Sequence, residues 1–295
     1  MFMEPENGNA RIQFRFKNPD HPGMKVNEKN GVVWLTFSQI SEQERIIHGF
    51  STRLGGVSRG YVGSMNLSTA RGDTPENVQE NLRRLGECIG FEQQNLVLSH
   101  QTHTANVRTV TEADRGCGIV KERPYQDVDG LITNVPGLVL MTFYADCVPL
   151  FFVDPVNRAV GLTHSGWRGT VQQIGRVTLE RMREEYGTLP EDVIAAIGPS
   201  ICQDCYEVSE DVIDEFRKVY APEEQKEIFY RKENGKYQLD LWKANRILLM
   251  NSGIRSENLS ISELCTCCNH NLLFSHRASQ GKRGNLAAFL GIQKN

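Results

Sequence analysis

Apolar positions along this chain gather in short blocks rather than long stripes. Residues 138–144, 150–153, 159–164 and 286–290 are close to unbroken apolar runs. Runs of this length, bounded by Gly, Pro, Asn or Asp, predict strands buried on both faces. The same reading predicts strands over 32–37, 96–101, 106–110, 130–134, 193–197 and 238–241. Helices are fewer. Thr74 has the character of an N-cap, Pro75 suits the first helical position and Glu76 the first turn, so a helix is expected to Ile89. Others are expected over 170–186, stopped by Gly187, over 209–220, opening on Ser209-Glu210-Asp211, and over 241–252, ending near Gly253. The order lacks regular strand–helix alternation. It therefore predicts an α+β fold of mixed sheets with helices outside, rather than one doubly wound parallel sheet. No repeat, low-complexity tract or Pro/Ser linker divides the chain. One domain is expected over 26–295, behind a mobile N-terminal lead-in over 1–25.

At 295 residues, 39% hydrophobic and 23% charged, the chain can bury a large core. The net charge of -3 gives no global field for nucleic acid or an anionic membrane. The longest apolar stretch, 138–153, is interrupted by Asp146, Cys147 and Pro149 and falls short of the ~18–20 residues of a membrane span. The first eight residues lack the basic-then-apolar order of a secretion signal. Eight cysteines in such a chain are expected as thiols or metal ligands in a reducing, cytoplasmic setting.

Chemistry concentrates at strand ends. The strand over 138–144 delivers Asp146 and Cys147, and Pro149 is expected to block simple continuation. The return strand over 159–164 ends on His164, 17 residues beyond Cys147, so one strand-turn-strand excursion can join them. Gly166 and Gly169 flank Trp167-Arg168 ahead of the expected helix. Its free N–H groups and Arg168 would favour an anion. A single cysteine at a strand end is usually a small buried hydrophobe, and a single histidine a hydrogen-bonded structural residue. The crowding of Asp146, Cys147, His164 and Arg168 into one short region is what marks a candidate catalytic site.

His100 and His103 add a further ligand. A strand would point them to opposite faces, so at most one faces Cys147, and periodicity leaves open which. Two imidazoles and one thiolate suit zinc, with the fourth position open to water or substrate. Arg53, beside Gly55-Gly56, offers a clamp for phosphate or ribose, although the segment follows neither common phosphate-loop order and reads equally as a hairpin with a surface arginine. Cys202-x-x-Cys205 and Cys265-Thr266-Cys267-Cys268, with His270, resemble half-sites for a structural zinc. Crowding by Cys267 favours plain thiols packed near the pocket.

Taken together, His48-Gly49-Phe50-Ser51-Thr52-Arg53, Gly55-Gly56-Val57-Ser58, Asn66-Leu67, Gly72-Asp73, Gln101-Thr102-His103, Asp127-Val128-Asp129-Gly130-Leu131, Ala145-Asp146-Cys147-Val148-Pro149, His164-Ser165-Gly166-Trp167-Arg168-Gly169, Gly198-Pro199-Ser200-Ile201, Cys205-Tyr206-Glu207-Val208 and Phe274-Ser275-His276-Arg277 form a specific, ordered set. On these the chain resembles the YfiH/YlmD family, the laccase-domain proteins formerly labelled multicopper polyphenol oxidases. The resemblance implies a layered αββα sandwich. It implies metal ligands at His103, Cys147 and His164, choosing His103 over His100, with zinc expected and copper the less favoured alternative. It implies phosphorolysis of purine nucleosides (adenosine, inosine, guanosine or 5'-methylthioadenosine) by inorganic phosphate, with adenosine deaminase activity. Neither nucleic acid nor membrane is an expected partner, and the expected assembly is a monomer or small homo-oligomer. Within that reading Asp146 is a candidate for proton transfer or for orienting a ligand histidine, and Arg53 and Arg168 for balancing phosphate charge. The chain departs from the family pattern at Thr104, where Gly often follows the first ligand, and at His276, where Tyr often precedes Arg277. Three rivals use the same residues: a metal-free cysteine hydrolase with Cys147 as nucleophile and His164 or His103 as base, a copper oxidase, for which one His2Cys set supplies too few centres, and a binding protein with a structural zinc.

Overall fold

The computed structural model describes residues 12–20 and 23–294. Its strands are β1 (Lys25–Lys29), β2 (Val32–Thr36), β3 (Ile46–Ser51), β4 (Leu96–Leu98) and β5 (Val107–Thr109). Next come β6 (Gly130–Thr133), β7 (Val139–Tyr144), β8 (Val148–Asp154), β9 (Ala159–Ser165) and β10 (Ile194–Ile197). The last are β11 (Glu207–Val208), β12 (Phe229–Arg231), β13 (Tyr237–Leu239), β14 (Leu259–Ile261) and β15 (Leu286–Ile292). The helices are α1 (Ser38–Ser41), α2 (Pro75–Ile89), α3 (Trp167–Val171), α4 (Ile174–Tyr186), α5 (Glu210–Val219), α6 (Pro222–Ile228), α7 (Leu241–Asn251) and α8 (His276–Ser279).

Two six-stranded sheets form, ordered β1-β2-β3-β15-β7-β4 and β14-β10-β8-β9-β6-β5, with a small β11-β13-β12 sheet beside them. Alternation along the strands divides the side chains into three cores. Leu140, Tyr144, Phe151, Val153, Leu162, Ala288 and Leu290 fill the space between the sheets. Met141 and Phe289 point the other way, onto Leu82 and Leu85 of α2. Leu150 and Phe152 meet Ile174, Leu179 and Met182 of α4 and Leu249 of α7. The arrangement is therefore αββα in a single domain.

Three expectations change. The helix expected over 170–186 is two helices, because Gln173 takes a left-handed φ of 59° between α3 and α4. Pro149 does not block a strand. It lies inside β8, paired with His164, and the break falls one step earlier, where Ala145-Asp146-Cys147 carries the chain from one large sheet to the other. Of the lead-in expected over 1–25, residues 1–11, 21 and 22 lie outside the described residues. Phe14, however, is buried in the central core and Phe16 bridges Leu264, since these aromatic side chains have apolar neighbours to cover.

Candidate metal centre

The sheet crossing sets the site. Val148 pairs with Ser165 and Pro149 with His164, so Cys147, one residue before β8, arrives beside the end of β9. His103 comes from the loop after β4, which leaves the ladder at Leu98 and curls around Asp129, the residue before β6. The fully buried Asp129 carboxylate accepts from the backbone N–H of Thr102 (3.0 Å), His103 (3.1 Å) and Thr104 (2.9 Å), and from the Thr104 hydroxyl at 3.1 Å. It also accepts from His164 Nδ1 at 2.8 Å. Burial pushes the Asp129 carboxyl up. The His164 hydrogen bond and the amides outweigh that and hold it below the usual carboxylate range. With Nδ1–H committed to Asp129, His164 presents its other nitrogen, Nε2, to the centre.

His103 Nε2 lies 3.9 Å from Cys147 Sγ, and the three candidate ligand atoms lie within 4.8 Å of one another. Tetrahedral zinc, with bonds of roughly 2.0–2.3 Å, places neighbouring N and S ligands about 3.5 Å apart. The donors fit one ion after a small inward shift and leave a fourth position open. Burial pushes the Cys147 thiol up, but the two imidazoles draw it down to about 6. Burial pulls His164 down, while the Cys147 thiolate and Asp129 raise it to about 9. The thiol is thus predisposed to its ligand form. Strained backbone collects here: His103 (φ 67°), Asp127 (φ 53°) and Asp146 (φ 89°) are all left-handed. A Cβ on Gly166 would stand 3.0 Å from the His103 ring and 3.1 Å from Cys147 Sγ, so glycine lets the α3 start close over the centre.

The structure brings His103, Cys147 and His164 together and leaves His100 outside, where its Nδ1 accepts from the Asp127 amide at 3.0 Å. Asp146 sits beside the group without orienting either histidine. Its two oxygens accept from Thr266 Oγ1 (2.6 Å) and the Arg277 amide (2.7 Å). Asp129 is the residue that orients His164. Arg53 spends its fork on the Gly63 carbonyl (3.0 and 2.7 Å) and the His270 carbonyl (2.9 Å) and stacks on Phe274. Arg168 is exposed, lying 4.2 Å over the Trp167 ring, and the helix it opens is only five residues long.

The centre opens into a cavity of about 550 Å³, lined neither by Arg53 nor by Arg168 but by Arg71, Arg283 and Arg123, the last of which donates to the Ser99 carbonyl. Val78, Leu82, Leu98, Ile119 and Phe143 form its apolar wall. Arg283 has a buried Nε with no hydrogen-bond partner. Burial and the nearby Arg71 cation draw its pKa down to about 10, against the pull of Asp146 and Cys147. Two arginine cations that line one cavity and act on each other electrostatically offer positive charge for an anion there. Sequence reasoning missed three residues here. Asp129 and Arg71 lie in or beside matched segments, Asp127-Val128-Asp129-Gly130 and Gly72-Asp73, that suggested no role, and Arg283 lies in a polar stretch without pattern.

Among the described residues no helix is long and apolar enough to cross a membrane. The family described as multi-copper polyphenol oxidoreductase laccase matches residues 47–293. A relative named purine nucleoside phosphorylase YlmD, from Bacillus subtilis, is 38% identical over 262 residues, 88% of this chain and 93% of its own length. A relative named adenosine deaminase RL5, from an unknown prokaryotic organism, is 35% identical over 78% of this chain and 88% of its own. The crystal structure of YlmD from Geobacillus stearothermophilus superposes with a TM-score of 0.84 at 34% identity, covering 92% of this chain and all (100%) of that one.

Proposed function

The chain belongs to the multi-copper polyphenol oxidoreductase laccase family, and we propose that it is a purine nucleoside phosphorylase that also deaminates adenosine, with zinc held by His103, Cys147 and His164. The observation that carries this reading is one cavity walled by the His2Cys group, the Arg71–Arg283 pair and an apolar face. The names of the relatives point the same way. Adenosine, inosine, guanosine and 5'-methylthioadenosine are the proposed substrates.

Zinc bound there supplies Lewis-acid chemistry and lowers the pKa of coordinated water to ~7. In phosphorolysis a phosphate oxygen bonds to the anomeric carbon, and the C–N bond electrons leave with the purine, which takes up a proton. Arg71 and Arg283 hold the phosphate dianion and bring its oxygen to the sugar. The wall of Phe143, Ile119 and Leu98 covers the purine and excludes water. Deamination replaces the C6 amino group with oxygen from water and releases ammonia, so it needs the same purine pocket and no phosphate. Asp146 and Arg53 act in this proposal as positioning residues, Asp146 for the loop carrying Cys147, Arg53 for the 63 and 270 loops. Arg168, exposed on Trp167, stays a peripheral cation that adds positive potential at the site.

The donor set argues against a multicopper oxidase. Among the described residues only two histidines fall in metal-competent groups, too few for several copper centres. The test is protein purified without added metal, assayed for zinc and incubated with adenosine and phosphate. Adenine with ribose 1-phosphate, and inosine without phosphate, are expected by chromatography. No turnover by zinc-loaded protein would overturn the reading. Metal-free protein inactivated by thiol alkylation would replace it with the cysteine hydrolase.

A further inference from the structure

A second cluster of ligand side chains lies outside the cavity. Cys202 and Cys205 bracket a turn after β10, and Cys265 and Cys268 bracket one after β14. Their four sulfurs all lie within 4.8 Å of one another, with Cys202–Cys268 at 4.0 Å and Cys205–Cys268 at 3.6 Å. A tetrahedron of sulfurs at ~2.3 Å from zinc has edges of about 3.8 Å. We infer that these four cysteines form a closed structural site that takes one zinc ion.

Three observations support a metal over packed thiols. The Cys202 and Cys268 amides donate to Cys265 Sγ at 3.2 and 3.4 Å, the arrangement that stabilises a thiolate. Cys265 is fully buried and Cys202 nearly so, where bare thiolates would be costly without a cation. Lys17, ion-paired with Asp204 at 2.7 Å, also lies within electrostatic reach of Cys202 and Cys268 and favours their thiolate forms. A disulfide would use two of the sulfurs and strand the others. Sulfurs this close together leave no room for a cluster of several irons. The all-thiolate tetrahedral set selects zinc or a single iron.

The position gives the ion a task. Thr266, between two of these cysteines, donates to Asp146, and the Ile201 amide, beside a third, donates to the Asp146 carbonyl at 3.0 Å. The two clamped turns therefore grip the residue next to Cys147. All four positions belong to protein, so the ion braces the first centre and does no chemistry of its own.

The test uses the full chain carrying His103→Ala and Cys147→Ser, which removes the first centre, expressed with zinc in the medium and purified without chelator. One zinc per chain is expected, with four sulfur neighbours at about 2.3 Å by X-ray absorption. No zinc in the folded variant overturns the inference. So does iron in its place, or a mass lower by two hydrogens with Cys205 and Cys268 joined. Cys205→Ser/Cys268→Ser in the otherwise unchanged chain is expected to lose this zinc and melt at lower temperature. Should that variant fail to fold, the first measurement still decides. None of these readouts needs turnover, so failure of the activity proposal leaves them interpretable.

Discussion

Replacing Asp129 with Asn tests whether one buried carboxylate fixes the metal centre. The carboxylate takes three backbone amides, the Thr104 hydroxyl and His164 Nδ1. Oδ2 serves the Thr102 and Thr104 amides, while Oδ1 serves the His103 amide and the imidazole. An asparagine has one oxygen. If that oxygen takes the place of Oδ1, its NH2 group faces the Thr102 and Thr104 amides, donor against donor. If it is flipped, the NH2 meets His164 and demands the tautomer with its proton on Nε2, the atom the metal needs. In the first case two part-buried amides lose their partner, costing about 1–2 kcal/mol of folding stability after partial rescue by water. In the second the ligand must change tautomer to bind. Loss of such an orienting partner lowers metal affinity roughly 10–100-fold, or about 1.4–2.7 kcal/mol. The assay is zinc transfer from a chromophoric chelator, with a thermal melt of the zinc-free form alongside. Asp129→Asn with affinity within about twofold of the unchanged protein and an unaltered melt would refute the reasoning.

Arg283→Met should raise the KM for phosphate about 10–100-fold, the worth of one charge-assisted contact, and spare phosphate-independent adenosine deamination; equal loss of both reactions would deny Arg283 a phosphate role. Asp146→Asn should keep full zinc occupancy and most turnover, because its amide can still serve Thr266 and the Arg277 amide; loss of turnover at full occupancy would return Asp146 to a proton-transfer role. Gly166→Ala should weaken zinc binding, because the methyl meets His103 and Cys147 at 3.0 and 3.1 Å, a change the chelator competition reads directly. His48, whose Nε2 accepts the Phe37 amide at 2.9 Å, is held neutral by burial with its pKa lowered to about 4. The unfolded chain takes that proton first as pH falls, so stability is fully present above the ordinary value of ~6.5 and is lost down to about 4, in total about 3 kcal/mol. Denaturant titrations should show His48→Gln with a flatter slope across that window.

How much of this was legible in sequence depends on where each residue's partners lie. The central strands β7, β8, β9 and β15 read clearly because both faces are covered, which leaves unbroken apolar runs. β1, Lys25-Val26-Asn27-Glu28-Lys29, was missed because an exposed edge strand carries polar side chains. The Cys147–His164 pairing was readable because an antiparallel excursion fixes it locally. His103 against His100 was not readable from spacing. The chain leaves the strand at Leu98, and the left-handed turn at His103 is imposed by a carboxylate 26 residues later. Asp129 itself gives little signal, since most of its partners are backbone amides that every residue but proline possesses. The arginines make the same point from the other side. Arg53 beside two glycines looks like a phosphate clamp, but sequence shows a charge and not whether its donors are already taken. The carbonyls of Gly63 and His270 occupy Arg53. Among the described residues no hydrogen bond holds the Arg71 side chain, and Arg283, which lines the cavity, spends only Nη1, on Asn285 Oδ1 and the Gly284 carbonyl. An anion is attracted to donors left unsatisfied by the fold, so its site follows the tertiary hydrogen-bond count rather than any local motif.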